Sequence, residues 1–316
     1  MRYWASSRTT ADAIVGALAV QGAEAWIRRH VAPAGPIEIT HERPWATVMR
    51  VPVSGGRVWF KACAPIQAFE PGLTARLFAR WPDLVTEVLA VDESRGWLLL
   101  GDAGSAVREQ GNPPELWLQA LPRYAELQKG EQAQVGEHIA RGVPDLRLAA
   151  LPGAYQRLAQ RDLPLQPEEA DRVAAFAPRF AELCAELEGF GIGESIQHDD
   201  LHMSNLYVDS AGRLRVVDWG DSSIAHPFFS LLVTFRFLGS FNNLAPEDPW
   251  FKRLRDAYLE PWGRGHTEAF ELAIRVGWFA HAIAWTRQRA ALPAKARPEF
   301  DQDFARILRS ALATVS

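Results

Sequence analysis

The spacing of apolar residues changes about one third of the way along the chain. Residues 9–31 carry apolar side chains at helical spacing, with Thr9 or Thr10 as the predicted cap and Pro33 just beyond the end. Short runs of β-branched and aromatic residues then predict strands at 37–41, 48–53, 57–63, 84–91 and 97–100. A helix is predicted at 69–81, between the third and fourth strands. These elements predict a leading helix followed by a five-stranded sheet, with a second helix between the third and fourth strands.

The rest of the chain is almost wholly helical in its pattern. Helix-period apolar residues predict helices at 114–128, 151–161, 167–190, 227–240, 250–261, 266–291 and 300–313. Residues 131–145 are polar and contain glycine, so they predict a mobile or substrate-facing loop with His138 exposed in it. Trp278, His281 and Trp285 lie on one face of the helix at 266–291, where a core stripe is favoured over a substrate-lining one.

Composition narrows the class of protein. The 316 residues are 48% hydrophobic and 23% charged, which is ordinary for a soluble globular protein. A net charge of −4 argues against a dedicated nucleic-acid binder. Cys63 and Cys184 are the two cysteines, which indicates a reducing compartment. No apolar signal region opens the chain and no run reaches the ~18 apolar residues of a membrane span, so a cytoplasmic protein without membrane contact is expected.

Polar residues concentrate on both sides of a short predicted hairpin. Residues 206–208 and 214–217 are apolar runs, and the turn at 209–212 joins them. A hairpin of this size places the loop before its first strand beside the end of its second. Four polar residues are therefore expected to converge: His198, Asp200, Asn205 and Asp218.

The spacing within this segment is specific. His198, Asp200, Leu201 and Asn205 follow the order of a kinase catalytic loop, and Asp218-Trp219-Gly220 is an aromatic variant of the Asp-Phe-Gly metal loop. Here the sequence resembles the aminoglycoside phosphotransferase family, the small-molecule branch of the protein-kinase-like fold. The resemblance implies an α+β, bilobal fold. Residues 1–103 would form an N-terminal antiparallel five-stranded sheet lobe that binds nucleotide, and residues 104–316 a larger, mainly helical lobe with the catalytic loop and acceptor site.

The chemistry of phosphoryl transfer explains these residue types. A carboxylate must take or orient the proton of the acceptor hydroxyl, and Mg²⁺ needs hard oxygen ligands. The resemblance implies that Asp200 is the catalytic base and that Asn205 and Asp218 bind Mg²⁺. His198 would support the loop, and Asp221 would either bind a second Mg²⁺ or brace the loop.

The resemblance also implies a nucleotide site in the first lobe. Lys61 lies inside an apolar strand, where the family has the lysine that holds ATP phosphates. Glu70 matches the helix glutamate that pairs with this lysine. The loop before the lysine strand lacks a glycine-rich motif, so the backbone of Trp45, Ala46 and Thr47 would cover the phosphates. The hinge position, where the backbone contacts adenine, corresponds to Gly101, Asp102 and Ala103.

These inferences predict a phosphotransferase that uses ATP and Mg²⁺ to phosphorylate a hydroxyl of a small molecule. Aminoglycosides, choline and sugars all fit such an acceptor, GTP fits in place of ATP, and the oligomeric state is open. Asp199 departs from the family's usual glycine; it would bind a cationic acceptor or face solvent. One alternative is a metal-dependent hydrolase built on the His/Asp cluster. Another is a non-catalytic, nucleotide-binding pseudokinase.

Overall fold

The computed structural model describes residues 22–315. The chain divides into two compact units, residues up to Ala103 and residues from Gly104 onward. Of the predicted first helix, the structure describes α1 (Ala23–His30). The start of that helix, including the predicted cap at Thr9 or Thr10, lies outside the described residues.

The first unit is built on an antiparallel five-stranded sheet, as predicted. Its strands are β1 (Glu38–Arg43), β2 (Ala46–Val53), β3 (Gly56–Cys63), β4 (Val88–Asp92) and β5 (Trp97–Leu100), in the order β1-β2-β3-β5-β4. Helix α2 (Glu70–Arg80) connects β3 to β4. The fourth strand begins at Val88, four residues later than predicted. The preceding Leu84 and Val85 are buried where the chain turns back on the Trp81 carbonyl. Buried apolar residues of this kind have the same sequence pattern as a strand.

The core of this unit joins α1 to the sheet. Trp26 of α1 packs edge-on against Phe60 of β3 and Trp97 of β5, with ring centroids 5.8 and 5.7 Å apart. Phe60 and Trp97 make the same kind of contact at 5.6 Å. All three side chains are buried, and edge-to-face rings of this kind add to the stabilisation from burial. The described part of the first helix therefore packs on the sheet.

The second unit is mainly helical. Its α-helices are α3 (Pro114–Glu131), α4 (Val135–Ala140), α5 (Leu151–Ala159), α6 (Pro167–Ala175), α7 (Ala177–Glu188), α8 (Leu231–Asn242), α9 (Pro249–Leu259), α10 (Thr267–Ala291) and α11 (Arg297–Ala313). The single helix predicted at 167–190 is two helices, because the chain bends at Phe176 and Pro178 lies in the first turn of the second. No helix among the described residues is long and apolar enough to span a bilayer.

Two small three-stranded sheets lie within the helical unit. The strands are β6 (Ser105–Ala106), β7 (Asp145–Leu146), β8 (Ser195–Gln197), β9 (Leu206–Val208), β10 (Leu214–Val216) and β11 (Ser223–Ala225). One sheet has the order β10-β9-β6 and the other β7-β11-β8. The hairpin of β9 and β10 is the one that the sequence predicts. Gly104, at φ +95°, allows β6 to approach β9, because a Cβ atom there would collide with the Val208 carbonyl.

The prediction of an exposed loop histidine at position 138 was wrong. His138 lies in α4, is fully buried, and bonds through Nε2 to Glu131 Oε2 at 2.8 Å. Glu131 is itself fully buried at the end of α3. The hydrogen bond between them compensates for much of the cost of burying two polar side chains, which is how this pair can be buried in a segment of loop-like composition.

Candidate active site

Lys61 and Glu70 form a buried ion pair in the first unit. Lys61 Nζ lies 2.6 Å from Glu70 Oε2 and 2.8 Å from Oε1. The lysine side chain is 9% exposed and the glutamate 1%. Cys63, two residues further along β3, donates its thiol to Glu70 Oε2 at 3.2 Å. A lysine inside an apolar strand requires such a counter-charge, and Glu70 opens α2, where the helix dipole favours a carboxylate.

The other predicted nucleotide residues lie at two places in the first unit. Ala46 and Thr47 begin β2 opposite Cys63 and Ala62, the two residues that follow Lys61 in β3. The Trp45 carbonyl accepts the Ala64 N–H. Gly101 follows β5, and its N–H bonds to the Glu87 carbonyl. Asp102 forms an ion pair with Arg57 at 3.1 Å, and Ala103 is buried.

The predicted base, Asp200, lies in the loop between β8 and β9 of the second unit. Asn205 Nδ2 donates to the carboxylate Oδ2 of Asp200 at 3.1 Å and to its carbonyl at 2.9 Å. His202 Nε2 lies 3.3 Å from the same Oδ2 atom. On the far side of the loop, Thr234 of α8 donates to the Leu201 carbonyl at 2.7 Å. The side chain of Asp200 is one third exposed, so its carboxylate is held but accessible.

The charges around Asp200 keep it ionised. Burial raises the pKa of Asp200, but the charge and hydrogen bond of His202 outweigh it and leave the pKa below its usual value. The same interaction raises the pKa of His202 against the effect of its own burial. In its neutral form the His202 ring accepts the Ser204 N–H at Nδ1 (3.0 Å) and carries its proton on Nε2, facing Asp200.

His198 supports the loop by hydrogen bonding. Its ring is buried, with Nε2 2.9 Å from the Val217 carbonyl and Nδ1 accepting the Asp200 N–H at 3.3 Å. Burial lowers its pKa, so the ring is neutral and its two nitrogens have fixed roles. The ring lies 4.9 Å from Trp219, which is fully buried beneath it.

The hairpin brings Asp218 to the same loop. The Val217 N–H bonds to the Asn205 carbonyl at 3.0 Å, which ties the end of β10 to the start of β9. Asp218 follows with a left-handed backbone (φ +64°) and is exposed. Its charge acts on both His198 and His202. The four residues predicted to converge therefore do so.

Asp221 and Asp199 both contact helix α10. Asp221 Oδ1 accepts from Gln288 Nε2 at 2.7 Å, and Asp199 Oδ1 bonds to His281 Nδ1 at 3.0 Å. The sequence suggested solvent or a cationic acceptor for Asp199, but its side chain is 5% exposed and bonded to protein. The contact with His281 was missed, because no local pattern relates residues 82 positions apart.

The side chains of this site suit Mg²⁺ better than a transition metal. Within residues 22–315, no group of three or more His, Cys, Asp or Glu side chains is arranged to hold a metal ion. The hydrolase alternative needs such a group. Mg²⁺ bound with nucleotide phosphates needs only one or two protein oxygens, which Asn205 and Asp218 can supply. Asn205 uses its nitrogen to hold Asp200, which leaves its amide oxygen for a cation.

The chain matches one known protein family. Residues 99–272, more than half of the chain, match the family model APH, described as a phosphotransferase enzyme family. A search of curated proteins by sequence gives no match.

Solved structures share the fold. A choline/ethanolamine kinase family protein from Mesorhizobium loti has a TM-score of 0.62 at 16% identity, over 92% of this chain and 94% of that one. The macrolide 2′-phosphotransferase MphH from Brachybacterium faecium gives 0.59 at 16%, over 92% and 97%. Aminoglycoside phosphotransferase APH(4)-Ia, in a ternary complex with AMP-PNP and hygromycin B, gives 0.59 at 14%, over 93% and 98%. The α+β, kinase-like fold expected from the sequence is confirmed.

Proposed function

The chain belongs to the phosphotransferase enzyme family whose model it matches, and from this membership we propose that it transfers the γ-phosphate of ATP to a hydroxyl of a small molecule, with Mg²⁺ as cofactor. The observation that carries the proposal is the environment of Asp200. Its carboxylate is partly exposed, is held by Asn205 and His202, and has a lowered pKa. A carboxylate with these properties is ionised and oriented at neutral pH, as a base for a hydroxyl proton must be.

Each site residue has a role in this transfer. Asp200 accepts the proton of the acceptor hydroxyl. The hydroxyl oxygen forms a bond to the γ-phosphorus, and the bond from that phosphorus to the ADP oxygen breaks. Lys61, held in place by Glu70, binds the nucleotide phosphates. Asn205 and Asp218 are the ligands for Mg²⁺, which offsets phosphate charge when it is bound. His198 holds the loop, and the backbones at 45–47 and 101–103 are the contacts proposed for phosphate and adenine.

Structures that share the fold support a choice of nucleotide and of acceptor class. The choline kinase LicA, which also shares the fold, has been solved with AMP, and APH(4)-Ia has been solved with AMP-PNP. Both complexes support ATP as the donor here. The relatives' names include choline, ethanolamine, aminoglycoside and macrolide kinases. Their acceptors are small organic molecules that carry hydroxyl groups, and we propose the same class for this chain.

The test is ADP formation with ATP or GTP, Mg²⁺ and a panel of those acceptors. Wild type should form ADP when one acceptor is added, and Asp200→Asn should lose this turnover. Asp303→Asn, which changes an exposed aspartate on α11, is the matched control and should keep it. Full turnover in Asp200→Asn would disprove the role of Asp200 as the base.

Nucleotide binding is measured separately by thermal stability. A ligand that binds only the folded state raises stability by about 2.7 kcal/mol at a concentration of 100 times Kd. Wild type and Asp200→Asn should show the same rise with Mg²⁺ and ATP, and Lys61→Ala should show a smaller one. A rise without turnover on any acceptor would favour the non-catalytic pseudokinase. Stabilisation by Zn²⁺ without nucleotide would instead favour the metal-dependent hydrolase.

A further inference from the structure

Asp199, the residue before the proposed base, has an unusual backbone conformation. Its φ angle is +61°, in the left-handed region that glycine adopts freely and most other residues avoid. This turn directs the chain from β8 into the loop that carries Asp200. Aspartate tolerates the left-handed region better than most residues but less well than glycine. A residue with a side chain at this point therefore suggests that the side chain itself is used.

The Asp199 carboxylate is bound from two sides. Its Oδ1 atom accepts from Gln197 Nε2 at 2.8 Å and bonds to Nδ1 of His281 on α10 at 3.0 Å. Both side chains of the Asp199–His281 pair are 5% exposed. The other ring nitrogen of His281 is buried without a hydrogen-bond partner among residues 22–315. The hydrogen bonding of this histidine is thus directed to Asp199 alone.

We propose that Asp199 and His281 form a clamp that positions the catalytic loop. The clamp fastens the left-handed turn to α10 and so fixes the direction in which the next residue, Asp200, presents its carboxylate to Asn205 and His202. Both members are positioning residues, since they act through Asp200. The part of the proposal that concerns turnover rests on the proposed transferase function.

Stability alone does not account for this pair. A buried carboxylate–histidine contact is weak evidence for stability, because well-packed apolar residues often stabilise a protein at least as well. Glycine at position 199 would adopt the observed backbone without strain. What glycine cannot provide is the link to α10. The side-chain link is therefore the property to test, and it can be separated from the backbone conformation by choice of substitution.

Four variants make this separation. Asp199→Gly keeps the left-handed turn and removes the link, and Asp199→Asn keeps an acceptor oxygen for His281. His281→Leu removes the link from the other side. The double variant Asp199→Gly/His281→Leu removes both members of the pair, and only Gln197 Nε2 then lacks the acceptor that Asp199 provided. Arg275→Ala, at an exposed position of the same helix, is the control.

The first measurement is amide hydrogen exchange in residues 195–206. In wild type the Asp200 and Ser204 amides are bonded to histidine rings within the loop, so they report its order. Asp199→Gly, His281→Leu and the double variant should each exchange faster in this segment and to a similar extent. Asp199→Asn and Arg275→Ala should match wild type. The double variant should regain part of the melting temperature that His281→Leu loses, because no carboxylate is left buried without its histidine, while its loop still exchanges fast. A merely structural role would not produce this combination.

The second measurement is turnover. The three clamp-breaking variants should lower kcat by about 10- to 100-fold, the size expected for a slightly misplaced catalytic group, with nucleotide binding unchanged. The double variant should be no slower than either single one, because the two residues act as a unit. Wild-type loop exchange and kcat in Asp199→Gly would overturn the proposal. If wild type forms no ADP, the transferase function fails, and hydrogen exchange alone still decides whether the clamp orders the loop.

Discussion

The hydroxyl oxygen of Tyr124 accepts the backbone N–H of His198 at 3.0 Å, so a tyrosine on α3 holds the start of the catalytic loop. The same hydroxyl contacts Ser230 Oγ at 3.1 Å, and burial raises the pKa of Tyr124 well above its usual range. Gln128, one turn further along α3, donates to the Ile196 carbonyl at 2.9 Å, and Tyr258 of α9 bonds to Gln128. The loop thus rests on a buried polar network.

We predict that Tyr124→Phe lowers both stability and kcat. The substitution leaves the buried His198 N–H without its acceptor, which costs about 1–3 kcal/mol. Tyr155→Phe is a matched control, since Tyr155 is also fully buried and donates to the Val173 carbonyl at 2.8 Å. The control should lose about 1 kcal/mol and keep kcat. Denaturant unfolding and steady-state kinetics measure the two effects, and equal kcat in the two variants would contradict the prediction.

A second prediction concerns the ion pair of Lys61 and Glu70. Lys61→Met leaves the Glu70 charge buried without its partner, so the free energy of unfolding should fall by about 3–5 kcal/mol. The double variant Lys61→Met/Glu70→Gln should recover most of this loss. By comparison, Arg50→Ala breaks an exposed pair with Glu38 and should change stability by about 0–1 kcal/mol. If Lys61→Met and Arg50→Ala lose similar amounts of unfolding free energy, burial does not determine how much the Lys61–Glu70 pair contributes to stability.

Local patterns predicted the parts of the site that are close in sequence. The hairpin of β9 and β10 and the loop before it lie within about twenty residues, so spacing alone predicted that Asp200, Asn205 and Asp218 converge. Lys61 stood out as a lysine inside an apolar strand, and the family resemblance then supplied its role and Glu70, nine residues away, as its partner. Short-range chemistry of this kind is visible in one sequence.

Contacts that depend on tertiary packing were not predictable in this way. His138 and Glu131 are seven residues apart, but a 3-10 turn at Gln132–Gln134 bends the chain between them, and nothing in the sequence signals that bend. His281 lies on an apolar helix face, where a core position was the reasonable interpretation. It is in the core, but its role is set by Asp199, which only the folded chain brings near.

The third prediction separates the two roles that the sequence left open for Asp221. The structure shows its Oδ1 atom bonded to Gln288 Nε2. Asp221→Asn keeps an acceptor oxygen for this bond, so the variant should retain kcat and the wild-type Mg²⁺ requirement. Asp218→Asn should instead raise the required Mg²⁺ concentration by at least roughly tenfold, the loss seen when even a supporting partner of a metal ligand is removed. The required Mg²⁺ concentration is measured by titrating Mg²⁺ while ADP formation is followed. An equal rise in this concentration for Asp221→Asn would indicate that Asp221 is a metal ligand.

The last prediction is an acid-sensitive step in stability that originates at His226. This fully buried histidine caps the turn at Pro227–Ser230, with Nδ1 accepting the Phe228 N–H at 3.3 Å. Burial lowers its pKa from 6.5 to about 3, because a charged ring would lie between Phe228 and Phe229 and Nδ1 could no longer accept a hydrogen bond.

The sign of the effect follows from proton binding. Between pH 6.5 and about 3 the unfolded chain binds a proton at His226 that the folded chain does not, so stability falls as the pH is lowered through this range. The contribution approaches about 1.4 kcal/mol per pH unit and vanishes above pH 6.5. His226→Asn keeps a capping acceptor without the titration, and its stability should fall less steeply with acid than that of wild type. His41→Asn, at an exposed position, is the control and should follow wild type; identical pH slopes in all three proteins would show that His226 does not contribute.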